Sequence, residues 1–72
     1  MDARPQPLAA RERVILELLP ELGANTAALA DEAECSRVSA EIAVRQLVAR
    51  GLVAFIGPRA LYTPQGLCEV AP

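Results

Sequence analysis

Seventy-two residues, 53% of them hydrophobic but with one Phe, one Tyr and no Trp, allow one domain with one small aliphatic core. The formal net charge of −2 argues against strong indiscriminate binding of nucleic acid, and no stretch approaches the roughly 20 apolar residues that span a bilayer. With no His and only two cysteines, Cys35 and Cys68, the chain lacks the ligands for an internal zinc site. The two thiols are expected to be free, small and buried or half-buried.

All seven basic residues are Arg, and their distribution says more than their sum. Residues 1–34 carry a balance of −4, whereas residues 35–68 carry +3 from Arg37, Arg45, Arg50 and Arg59 against Glu41. The second half is the electropositive half. The N-terminal MDARPQPLAARER has no apolar stretch ahead of its arginines, so it does not read as a secretory signal, and a cytoplasmic location without membrane association is expected.

Residues 1–7, with Pro5 and Pro7, read as a flexible lead-in. Leu8, Ile15, Leu18, Leu19 and Leu22 then recur at helical spacing and predict a first helix with these as its core face, which leaves Leu16 as an outward apolar contact. Pro20 has no N–H for the preceding turn and is expected to kink or end that helix, with Gly23 as its C-cap. Asn25 or Thr26 caps a second, short helix through about Glu34, with Leu29, Ala30 and Ala33 facing inward. Ser36 caps a third helix from Arg37 to about Arg50, stopped by Gly51. Two runs of β-formers, 52–56 and 60–63, flank Gly57-Pro58-Arg59 and predict a hairpin. The expected fold is α+β, mainly α: three helices and a two-stranded hairpin over residues 8–67, with 68–72 as a short C-terminal tail.

The residues that join these elements are Thr26-x-x-Leu29-Ala30, Ser36, Leu47-x-x-x-Gly51-Leu52-Val53 and Tyr62-Thr63-Pro64-x-Gly66. In this order the chain resembles the winged helix-turn-helix superfamily, and within it the MarR-like bacterial regulators, from Leu8 to Leu67. The resemblance implies a DNA-binding transcriptional regulator or phage-type accessory factor. Its third helix would enter the major groove of double-stranded DNA, and the hairpin would act as a wing on the backbone. Carried over by position, Ser36, Arg37, Ser39 and Arg45 are the expected contacts of helix 3, and Arg59 that of the wing. MarR-like regulators dimerise through long helices outside the winged domain, and the six residues after Gly66 are too few for one. A homodimer would have to use helix 1, the tail or the apolar stripe of Val38 and Ile42 on helix 3.

One feature of the third helix departs from that pattern. Taking Ala40, Val44, Leu47, Val48 and Gly51 as its core face, the opposite side is centred on Val38, Ile42 and Ala49, with Glu41 near them and Arg45 and Gln46 on the flank. Such a surface is poorer in polar groups than DNA-reading helices usually are; its apolar residues suit either thymine methyls or another protein. The alternative expectation is therefore an interaction module that does not bind DNA, with Val38, Glu41, Ile42 and Ala49 meeting a protein partner. Catalysis is not expected. Without His the serines lack an ordinary base, and the acidic run Asp31, Glu32, Glu34 reads as a solvated helix face. No cofactor is implied.

Overall fold

A computed structural model describes residues 8–70. Among these, three helices, α1 (Ala10–Leu22), α2 (Thr26–Glu32) and α3 (Arg37–Ala49), precede strands β1 (Val53–Ile56) and β2 (Arg59–Tyr62), and a fourth helix, α4 (Pro64–Val70), closes the fold. The architecture is α+β and mainly helical, with one two-stranded antiparallel sheet. The lead-in expected over 1–7 lies outside the described residues. Helix α4 takes in residues 68–70, assigned to a tail from the sequence.

The local chemistry of the helix ends is specific. Glu12 Oε1 accepts the Ala9 N–H at 3.0 Å, Asn25 Oδ1 accepts that of Ala28 at 3.1 Å, and Ser36 Oγ accepts that of Ser39 at 3.1 Å, so each of these three N-termini has a side-chain acceptor. Both α2 and α3 close by the same doubly hydrogen-bonded turn. The Cys35 N–H donates to the Ala30 carbonyl and Glu34 N–H to Asp31, and likewise Leu52 N–H donates to Leu47 and Gly51 N–H to Val48. The turn needs a left-handed residue, which is Gly51 (φ 75°) after α3 but Glu34 (φ 55°) after α2.

The core draws on every element except α4: Ile15, Leu16 and Leu19; Leu29 and Ala30; Ala40, Ala43 and Leu47; then Leu52, Val53 and Ala60. Leu16 corrects the sequence expectation. It is 0% exposed, because α1 packs against α2, α3 and β2 together and so buries a wider arc than a helix with one neighbour. Leu8, Leu18 and Leu22, expected in the core, flank it half-buried. Pro20 neither ends nor breaks α1, which runs on to Leu22. The missing Pro20 N–H orphans the Leu16 carbonyl, and the Tyr62 hydroxyl supplies the absent donor, at 2.7 Å.

In the hairpin, Val53 faces Tyr62, Ala54 faces Leu61, Phe55 faces Ala60 and Ile56 faces Arg59. Burial alternates accordingly. Val53, Phe55, Ala60 and Tyr62 turn to the core, while Ala54, Ile56, Arg59 and Leu61 form an exposed outer face. Three contacts fasten the hairpin to its surroundings. The Ala24 N–H donates to the Pro58 carbonyl at 3.0 Å, the Thr63 N–H to the Leu52 carbonyl at 3.1 Å, and Thr63 Oγ1 to the Gly51 carbonyl. Gly66 of α4 lies so close to the Leu52 carbonyl oxygen that a Cβ there would overlap it. No helix among the described residues is long and apolar enough to cross a membrane.

Candidate functional site

The rotation of α3 decides what its outer face presents. Ala40, Ala43 and Leu47 are its buried residues, Val44 is half-buried and Val48 is 43% exposed. The core face is thus turned by about 50° from the one the sequence suggested, gaining Ala43 and losing Val48. Gly51, also placed on that face, is exposed. The direction opposite the core now falls between Arg45 and Val38, with Ala49 and Ile42 on one side and Glu41 on the other. Arg45 is central to the open face rather than on its flank.

Val38 is 63% exposed and Ile42 51%, one helical turn apart. Arg45 is exposed and meets no carboxylate among the described residues. Arg37 is highly exposed but lies 3.8 Å from Glu41, an i,i+4 pair on the helix surface. That pair offsets the charge of Glu41, which would otherwise repel a phosphate beside the helix. The Ser36 hydroxyl is occupied with the cap, accepting from the Ser39 N–H and donating to Ser39 Oγ at 2.9 Å. Ser39 is the serine whose own hydroxyl proton remains to be placed.

Beside this face, α1 and α3 enclose a cleft of about 320 Å³ lined by Ala9, Arg11, Glu12, Ser39, Ile42 and Gln46 among others. Arg11 sits in the acidic half of the sequence, and nothing in its local pattern connected it with α3. Folding brings it to the Ile42–Gln46 edge. A second, shallow concavity at the α2–α3 corner is lined by Asp31, Glu34, Cys35 and Arg37, so the start of α3 has acidic as well as basic neighbours. Cys35 is half-buried and free; Cys68 is free too, but exposed on α4 rather than buried as expected, because α4 lies over the domain by Gly66 and turns Cys68 outward.

Arg59 opens β2 on the outer face of the sheet, opposite Ile56, and its Cα lies next to Gly23 in the α1–α2 connection. The turn at Gly57-Pro58 is tied to that connection through Ala24, so the hairpin is short and anchored. The outer sheet face is a second exposed apolar surface, with Ile56 65% and Leu61 48% exposed. Two ion pairs elsewhere are structural. Arg13 bonds the Glu69 carbonyl at 3.0 Å and approaches its carboxylate at 3.5 Å, holding α4 to α1, and Arg50 lies 3.9 Å from Glu12. Among the described residues there is no group of three or more His, Cys, Asp or Glu side chains placed to hold a metal.

Compared with family models, with curated proteins and with solved structures, the chain matches none of them.

Proposed function

We propose that the chain is a winged helix-turn-helix module that binds double-stranded DNA, with α3 in the major groove and the β1–β2 hairpin as a short wing. The observation that carries this is Arg45. It is exposed at the centre of the open face of a capped helix that also carries Arg37 and Gln46, and it has no carboxylate of its own among the described residues. The α2–α3 pair joined by a tight turn, and the hairpin directly after α3, support the same fold and the same docking geometry. The role fits a transcriptional regulator or accessory factor. With a net charge of −2, affinity rests on a few local arginines rather than on the field of the whole molecule.

Fluorescence anisotropy with a mixed-sequence duplex at 50 and 200 mM salt tests it. Three arginines on phosphates, Arg37, Arg45 and Arg59, give a slope near −2.7 and a loss of affinity of about 40-fold over that range. Replacing any one with Ala lowers the slope by about 1. Undetectable binding at low salt would end the proposal.

A second reading rests on the exposure of Val38 and Ile42 beside an apolar cleft: a protein partner, or a second copy, docked on α3. It expects Ile42→Glu to dissolve a complex seen by light scattering, while duplex binding is absent from the outset.

A further inference from the structure

The open face of α3 mixes two chemistries that a bare phosphate-binding surface does not need. Arg45, Gln46 and the Arg37–Glu41 pair are polar, but Val38 and Ile42 hold their branched side chains in water between them. Single exposed aliphatics are ordinary, but these two lie one turn apart on the face that also carries Arg45, which makes them one candidate contact surface. At 1.5 Å per residue the two lie about 6 Å apart along the axis, and Arg45 is about 10 Å from Val38, so the three span a few base steps of a groove.

In the major groove of DNA one apolar group is available for such contacts, the C5 methyl of thymine, which stands beside the acceptor and donor edges of neighbouring bases. Uracil and cytosine lack it. With Arg37 and Glu41 offsetting each other, Arg45 leaves the stripe beside a positive charge that suits the duplex and disfavours a basic partner. Ile42 also lines the cleft between α1 and α3.

We infer that α3 reads pyrimidine C5 methyl groups, with Val38 and Ile42 as the contact surfaces and Arg45 on the phosphates next to them. This rests on the DNA-binding role proposed above and adds to it a class of target: duplexes with thymines closely spaced on the groove wall that α3 follows. Glu41, held by Arg37, is not required for the contact.

The test compares alternating adenine–thymine and adenine–uracil duplexes, which differ in the C5 methyl, and alternating guanine–cytosine duplexes with and without 5-methylcytosine. The full chain and a Val38→Ala, Ile42→Ala double variant are titrated against all four. Both positions are exposed, so the variant keeps its fold, which far-UV circular dichroism verifies.

The expected result is tighter binding by wild type whenever the methyl is present, about fourfold for one contacted methyl and about 15-fold for two. The double variant should show less than about a twofold preference, while Arg45→Ala weakens binding to every duplex alike. Equal, salt-dependent affinity of wild type for thymine and uracil duplexes would overturn methyl reading and leave DNA binding standing. A methyl preference that survives in the double variant would also overturn it, because groove shape rather than side-chain contact would then be read. Absence of binding to any duplex would remove both proposals. A dimer that the double variant dissolves, with no methyl preference in wild type, would give the stripe to a second copy.

Discussion

Removing the Tyr62 hydroxyl, with and without restoring the amide that Pro20 lacks, should expose a coupling between residues far apart in the chain. Tyr62→Phe deletes one hydrogen bond, of about 1 kcal/mol, and leaves the Leu16 carbonyl, in the most buried part of α1, with no donor, which costs about 1–3 kcal/mol more. A domain of this length has a total stability of about 4–10 kcal/mol, so a loss of about 2–3 kcal/mol is a large fraction of it. In a Pro20→Ala background the backbone N–H regained at that position can bond Leu16 in the ordinary helical way, and Tyr62→Phe should then cost only about 0.5–1 kcal/mol. Urea denaturation followed by circular dichroism, on wild type, both single variants and the double, gives the interaction energy directly. We expect about 1–2 kcal/mol. Additivity within about 0.3 kcal/mol would show that the Leu16 carbonyl finds another partner and that Tyr62 does not accommodate the proline.

The same tyrosine makes stability depend on alkaline pH. Burial, and then the carboxylate of Glu17, raise its pKa above the ordinary value of 10.0. The unfolded chain therefore loses its proton first, so stability holds up to about pH 10 and falls as pH rises through the folded-state value; Tyr62→Phe should flatten that fall, and the lone tyrosine makes the absorbance titration unambiguous. Two glycine substitutions should separate backbone strain from collision. Gly51→Ala meets nothing within 4 Å and should cost about 1 kcal/mol for its left-handed φ, whereas Gly66→Ala strikes the Leu52 carbonyl and should cost about 3 kcal/mol or unseat α4, both read from urea midpoints. Ser36→Ala removes the cap of α3 and should cost about 1 kcal/mol, with a duplex affinity reduced at temperatures where α3 frays.

What the sequence disclosed were the local devices. Ser36 sits at the cap assigned to it, Asn25 rather than Thr26 caps α2, Gly51 closes α3, and Gly57-Pro58 turns the hairpin, since each depends on neighbours within a few residues. Thr63-Pro64 is also a local signal, a capping hydroxyl followed by proline at the first helical position, with Thr63 Oγ1 accepting the Gly66 N–H at 3.1 Å; it marks α4, which the short remaining chain obscures. The differences lie where distant residues decide. Pro20 survives inside α1 because of Tyr62, and Leu16 is buried because three elements surround α1. The rotation of α3 departs from expectation because Val48 looks more apolar than Ala43, yet Ala43 is the one that is buried. For the site this moves Arg45 from the flank to the centre, and it puts Arg11, distant in sequence, on the cleft beside Ile42 and Gln46.

Amide chemical-shift mapping of the labelled protein against a thymine-containing duplex tests most directly that the outer face of α3 is the binding surface. Perturbations concentrated on Val38, Ile42, Arg45, Gln46 and Ala49, with a weaker set at Arg11 and Arg59, are the predicted result. A response centred on Ile56 and Leu61 of the outer sheet face, with α3 unmoved, would contradict it.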